Sequence, residues 1–285
     1  MLPIIYGLLA AAGWGAADFT GGLASRRTGA YRTVLYSEVV GLVFIISAVV
    51  LTQEARPAWP ALALAGAAGA IGTTGLLMLY HALATGKMSI ATPVSALMAA
   101  AIPVLAGTLM EGFPGVWTFL GFGLSLAAIW LISREAGNDS HILTHISELR
   151  LPLLAGIGFG TYFILMHNAA QTATFWPMIA SRSGGTLIML LYKAPQSSMP
   201  MRRDTWRVTR GAWPFIIVNS LLDAGGNALY LLSSQAGRMD VAAVLSSMYP
   251  AVTVLMAALI LKERVARSQA IGILLALVAI LFLTV

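Results

Sequence analysis

Hydrophobic residues along this 285-residue chain fall into blocks of about 20, and short segments rich in charge, proline or glycine separate the blocks. An α-helix needs about 20 apolar residues to cross the hydrocarbon core of a bilayer. The pattern therefore predicts an all-α membrane protein with ten transmembrane helices. The predicted spans are residues 2–24, 31–52, 58–84, 88–110, 115–133, 152–171, 174–193, 212–236, 240–261 and 268–285.

A weak internal repeat relates the two halves of the chain. Residues that coincide under a shift of 151 positions include Gly86 and Gly237, Met88 and Met239, and Gly121 and Gly272. Each half holds five spans, and an odd number forces the second half to enter the bilayer upside down. We therefore expect two inverted five-helix repeats around a central cavity, with spans 1–5 in residues 1–137, a polar linker at 138–150, and spans 6–10 in 151–285.

Composition and charge agree with a membrane protein. Hydrophobic residues make up 58% of the chain and charged residues only 10%, whereas about a quarter of the residues of a soluble domain are charged. The net charge of +6 does not indicate nucleic acid, because the basic residues lie in short loops. Loops after odd-numbered spans hold 14 lysines and arginines and the other loops hold 2, so the positive-inside rule places both termini outside.

The last two spans carry a familiar pattern. Pro250-x-x-x-Val254, the segment from Leu261 to Arg264 (Leu-Lys-Glu-Arg) and Gln269-Ala-Ile-Gly272 resemble the closing hairpin of the EamA module of the drug/metabolite transporter superfamily. Gly13-Trp14-Gly15 resembles the opening of that module. Two departures occur: Glu111-Gly-Phe-Pro114 lacks a basic residue after the acid, and Ala99 stands where the second half has Pro250.

The resemblance implies a non-enzymatic permease of the bacterial inner (plasma) membrane. Members of the superfamily are secondary transporters, often exporters of amino acids, other small metabolites or toxic compounds. The family pattern also implies that both termini are cytosolic, against the count of loop charges.

Four ionisable side chains fall at bilayer depth, where a charge costs about 2.5–3.5 kcal/mol unless it faces a polar interior. These are Asp18, Glu38, Arg182 and Asp223. Alignment of Ser37-Glu38 with Ser181-Arg182 puts opposite charges at repeat-equivalent positions. The two could form an ion pair or bind the two ends of a zwitterion; the alternative is a salt bridge that only fixes helix packing.

Other polar and aromatic residues complete the candidate substrate site. Trp14 shares a helical face with Asp18, and Asn227 and Tyr230 continue the stripe of Asp223. Tyr80, His81, Tyr162 and His167 are further candidates, although a lone histidine in a packed helix is more often structural.

Some features favour a structural interpretation. His141, His145 and Glu148 share a face of the linker, which indicates a short surface helix rather than a metal site. Glycines crowd spans three and six, as expected of closely packed helices, with a flexible gate as the alternative. Pro93, Pro103 and Pro250 lie inside spans four and nine, where proline kinks a helix.

The sequence lacks the motifs of several enzyme classes. The chain has no P-loop and no His-Glu-x-x-His or Gly-x-Ser-x-Gly pattern, so we expect no enzyme, cofactor or metal. We expect a transporter that exports a small amphipathic metabolite, such as an amino acid, by alternating access, with a proton as candidate coupling ion. Its partners would be this substrate and the lipid bilayer. The protein itself would be a monomer or a homodimer. A lipid flippase and a membrane scaffold are the alternatives.

Overall fold

The computed structural model of the protein describes residues 1–85, 88–132, 146–193, 207–260, 262 and 266–283. These residues form α-helices, and no strand occurs among them, so the all-α prediction is confirmed. The helices are α1 (Leu2–Thr28), α2 (Ala30–Thr52), α3 (Trp59–Thr85), α4 (Met88–Met110), α5 (Val116–Ile132), α6 (Ile146–Ala169), α7 (Phe175–Lys193), α8 (Trp213–Ala236), α9 (Met239–Ser246), α10 (Tyr249–Ile260) and α11 (Arg267–Leu283).

Six segments of the described chain are long and apolar enough to cross a membrane. They are Leu2–Thr28, Ala30–Thr52, Trp59–Ala82, Arg150–Ala169, Arg210–Ala236 and Met239–Ile260. Ser95–Met110, Val116–Ile132 and Arg267–Leu283 are apolar but shorter, and α7 carries the charge of Arg182 near its middle. The count of ten crossings therefore stays a prediction. Large apolar side chains such as Leu109 and Leu274 cover the outside of the bundle, as a lipid-facing surface requires.

The ninth predicted span, 240–261, is two helices rather than one. α9 ends at Ser246, a turn follows at Ser247 and Met248, and Pro250 is the second residue of α10. Proline has no N–H to donate to the preceding turn, and the break leaves backbone groups without helical partners. Such groups are tolerated at membrane depth only inside protein, and every residue of α9 is buried.

α4 stays continuous although it contains two prolines. Pro103 lies within the helix Met88–Met110, and Pro93 lies within it too. The second half of α4 faces outward, with Leu105 and Leu109 exposed. A broken helix there would present unsatisfied backbone groups to lipid, which is costly. At the position that corresponds to Pro250, α4 has Ala99, and an alanine keeps the helical hydrogen bonds that a proline would remove.

Two pairs of equivalent helices, α5 with α11 and α2 with α7, pack against each other antiparallel across the two halves. In α5 and α11, a Cβ added to Gly121 would meet Leu283, and one added to Gly272 would meet Ile132. The two contacts are equivalent, because Gly272 and Leu283 lie 151 residues after Gly121 and Ile132 respectively. Because equivalent helices run in opposite directions, the geometry is that of an inverted repeat.

Exchanging the two repeats also relates the contacts of the other helices. α1 packs along α8 and α3 along α6, α2 packs on α7, and α5 packs mainly on α11. The pair of α5 and α11 lies at the edge of the bundle. The other helices meet around the centre, where residues of both halves face one another.

Side chains tie the two halves together on the face that carries the N-terminus. The carboxylate of Glu54, after α2, accepts hydrogen bonds from the backbone N–H groups of Thr174, Phe175 and Trp176 at 2.6, 2.8 and 2.9 Å. The carboxylate thereby occupies the positive end of α7.

A second tie on this face joins the α8–α9 connection to the end of α4. Arg238 donates to the Gly112 carbonyl at 2.9 Å and to Asp240 at 2.7 Å. The hydrogen bond to Asp240 raises the pKa of the Arg238 guanidinium, so the group stays charged. On the opposite face, Arg27 and Arg32 donate to the carbonyls of Gly211 and Arg207.

Candidate functional site

A cavity of about 100 Å³ lies between the two halves, several times the space that one water molecule needs. α1 to α4, α6 to α8 and α10 contribute to its wall. Seven residues of the predicted site line it: Trp14, Asp18, Glu38, Tyr162, Arg182, Asp223 and Asn227. The rest of the lining is mostly small or apolar and consists of Gly69, Gly72, Thr73, Leu76, Leu79, Ala99, Phe159, Phe163, Ser181 and Tyr249.

Arg182 joins two carboxylates in the wall of this cavity. Its Nη1 lies 3.2 Å from Oε2 of Glu38, and its Nη2 binds Oδ2 of Asp223. Glu38 and Arg182 are 4% and 5% exposed, and Thr73 donates a hydrogen bond of 3.0 Å to the other oxygen of Glu38. The structure thus forms the ion pair anticipated from the sequence and adds Asp223 from α8 as a third member.

Two glycines leave room for the Glu38–Arg182 pair at equivalent places. A Cβ on Gly41 would lie 3.3 Å from Cζ of Arg182, and a Cβ on Gly185 would lie 3.3 Å from Cδ of Glu38. The two glycines and the two charged residues are related by the same shift of 144 positions. The pair therefore straddles the pseudo-two-fold axis between α2 and α7.

A polar chain continues from the triad along α8 to α6. Asn227 donates to Oδ2 of Asp223 at 3.1 Å and accepts a hydrogen bond of 2.7 Å from the hydroxyl of Tyr162. Tyr230, the next residue of the predicted stripe, is fully buried outside the lining. Its hydroxyl donates to the Phe163 carbonyl at 2.9 Å, and its ring packs against Phe163, which stacks on Trp14.

Asp18 differs from the other charged residues of the cavity. Within the part of the chain that the structure describes, it has no hydrogen-bond donor and no ion-pair partner. It lies within electrostatic range of Asp223, Tyr80 and Tyr249. The cavity therefore holds three carboxylates against the one guanidinium of Arg182.

A hydrogen-bond network centred on Asn219 joins α1, α2, α3 and α8 next to Asp18. Asn219 donates to the Ala17 carbonyl at 2.7 Å and to the Tyr80 hydroxyl at 3.2 Å, and it accepts from Ser37 at 2.7 Å. Tyr80, a predicted site residue, is thus part of the support and not of the lining. The sequence analysis missed Asn219, although it precedes Asp223 by one helical turn and extends the same polar stripe.

The two histidines among the candidates lie away from the cavity. His81 is exposed on α3. His167 is half-buried near the end of α6, with Gln171 3.2 Å from its Nε2. His141, His145 and the side chain of Glu148 lie outside the described residues. The described residues contain no group of three side chains suited to bind a metal.

Comparison with known proteins bears on the family and on the fold. The sequence matches the family model of the EamA-like transporter family over residues 1–134 and 148–285. No curated protein matches the chain. One solved structure, described only as the crystal structure of a protein, superposes with a TM-score of 0.76 and 16% sequence identity. The superposition covers 99% of this chain and 96% of the other, and it shows similarity of fold alone.

Proposed function

Since the chain belongs to the EamA-like transporter family, we propose that it exports a small amphipathic metabolite by alternating access across the inner membrane of a bacterium. The observation that carries the proposal is the charged cavity enclosed between two antiparallel halves. An ionisable group at membrane depth is retained where it serves a substrate or ion pathway. The chain is an integral membrane protein, and we take this cavity as the candidate site for its substrate.

The proposed motion is a rocking of one repeat against the other. The cavity takes its lining from both halves, so a relative rotation would change the face from which it is reached. In this conformation the Glu54 and Arg238 contacts hold the two halves together on the N-terminal face. Rocking would have to break contacts between the halves on one face, either these or the ones that Arg27 and Arg32 make on the opposite face.

Different residues of the cavity would bind different parts of the substrate. Trp14 and Phe163 offer an aromatic surface to the apolar part of a substrate, and Asp18 offers a free carboxylate. The carboxylates also provide the groups that coupling to a proton would need. A lipid flippase is less well supported, because the lining has Arg182 as its one arginine and both arms of that guanidinium are engaged.

A comparison of exported metabolites tests this function. Cells that express the protein should accumulate at least one small amphipathic metabolite in the medium relative to cells that lack it. Leu76→Trp puts a large ring into the cavity and should abolish the difference, whereas Leu274→Trp changes an exposed residue of α11 and should not. Unchanged media with well-folded protein, or full export by Leu76→Trp, would contradict the proposal.

Reconstituted vesicles loaded with that metabolite then test the coupling ion. An imposed pH gradient should accelerate its flux, and a protonophore should remove the acceleration. Flux that ignores the gradient would exclude the proton as coupling ion.

A further inference from the structure

The pseudo-two-fold axis relates individual residues of the cavity wall. A Cβ on Gly13 of α1 would lie 3.3 Å from Cα of Gly226, and a Cβ on Gly158 of α6 would lie 3.4 Å from Cα of Gly75. The shift is 145 residues between α1 and α6 and 151 between α3 and α8. These close contacts fix which residue of one half corresponds to which residue of the other.

Corresponding positions of the cavity differ sharply in chemistry. By these shifts Asp18 corresponds to Phe163, Asp223 to Gly72, and Asn227 to Leu76, and all six line the cavity. The wall built by α1 and α8 therefore carries two carboxylates and an amide beside Trp14, and the wall built by α3 and α6 is mostly apolar, with the hydroxyls of Thr73 and Tyr162 bound to Glu38 and Asn227. A ligand that fills the cavity meets a carboxylate on one side and an aromatic or aliphatic surface on the other.

The charges of the polar wall favour a cation. Arg182 already binds Glu38 and Asp223, so a substrate carboxylate would have to displace one of two ion pairs, the first buried and the second partly buried. Removing one partner from such a pair leaves an uncompensated buried charge. Asp18, by contrast, has no partner among the described residues, so a substrate can bind it without displacing an existing ion pair. An ammonium group would balance it, and the pairing of an ammonium with a carboxylate is a strong hydrogen bond.

We propose, resting on the transport function argued above, that the substrate is an amphipathic monoamine in its protonated form. Its ammonium group binds Asp18, and its apolar part lies against Phe163 and Leu76. Trp14, one helical turn before Asp18, covers the junction between the two parts. The cavity thus selects a cation over a zwitterion or an anion.

Calorimetric titration of the purified full chain in detergent tests the proposal with three probes of similar shape. 2-Phenylethylammonium carries a positive charge, 2-phenylethanol is neutral and 3-phenylpropionate carries a negative charge. We expect the ammonium to bind at least about tenfold more tightly than the other two, as a charge-assisted hydrogen bond would give. Absence of ammonium binding, equal affinities or a preference for the anion would overturn the proposal.

Three variants locate the charge that is recognised. Asp18→Asn should weaken ammonium binding by about tenfold or more, Asp18→Glu should retain most of it, and Glu111→Gln should leave it unchanged. Glu111 is a matched control because it pairs with Arg238 at the N-terminal face, outside the cavity. Full affinity in a folded Asp18→Asn variant would overturn the proposal, and the probe series on the unaltered chain decides it if this variant does not fold.

The outcome separates this inference from the transport function. Ammonium binding with Asp18 dependence but no exported metabolite would leave the inference standing and remove the transport function. Export of only anionic or neutral metabolites would leave the transport function standing and remove this inference.

Discussion

At the scale of single residues, Arg182 serves as the counter-ion of two carboxylates in the wall of the cavity. It balances Glu38 and Asp223 in a site where none of the three is fully solvated. We expect Arg182→Gln to lower the free energy of unfolding by about 3–5 kcal/mol, because the buried Glu38 and the partly buried Asp223 lose their counter-ion. Glu38→Gln should cost less, since Arg182 keeps Asp223.

The midpoint of thermal unfolding in detergent measures both effects. Arg56→Gln is the control, because Arg56 is an exposed arginine stacked on Trp59. A midpoint for Arg182→Gln that is no lower than that of Glu38→Gln would show that Asp223 does not depend on the guanidinium.

The sequence predicted part of this site for a clear reason. Glu38 and Arg182 follow a serine at the same place of each repeat, so the alignment of the halves was enough to pair them. The third member, Asp223, lies on a helix that the alignment does not bring to this pair. Its contact depends on how α8 packs against α1 and α2, and the hydrophobic pattern of a helix does not give that distance.

At the scale of elements, the limits of most helices could be predicted because charge, proline and glycine mark the breaks. α2 and α4 begin and end within one residue of the predicted spans. The break between α9 and α10 could not be predicted in the same way. Pro103 and Pro250 are both buried, yet Pro103 lies inside a continuous helix and Pro250 is the second residue of a new one, and the hydrophobic pattern alone does not distinguish the two situations.

The pair of α5 and α11 offers a test of the repeat at this scale. Gly121→Val and Gly272→Val should each lower the free energy of unfolding by about 1–3 kcal/mol, because the added side chain meets the facing helix. Gly123→Val should be close to neutral, since a Cβ there meets no atom within 4 Å. Equilibrium unfolding in mixed detergent micelles measures the three changes. A cost at Gly121 without one at Gly272 would contradict equivalent packing of the two repeats.

At the scale of the whole molecule, the fold separates two faces that loop charges distinguish. The face of the N-terminus carries Glu54 and Glu111 with few basic residues, and the opposite face carries Arg26, Arg27 and Arg32. Each face is held by contacts between the halves. The antiparallel pairing of α2 with α7 and of α5 with α11 follows from the odd number of predicted spans per half, and for this reason the repeat could be inferred without coordinates.

The orientation in the membrane can be measured cleanly because the chain has no cysteine. Ala55→Cys and Thr209→Cys place single thiols at exposed positions on opposite faces. The excess of arginine on the face of Thr209 makes that face cytosolic by the positive-inside rule. A maleimide that cannot cross the membrane should therefore label Ala55→Cys in intact cells and Thr209→Cys only after permeabilisation. The reverse pattern would place both termini in the cytosol, as the family resemblance implies, and the face that Glu54 and Arg238 hold together would then be the cytosolic one.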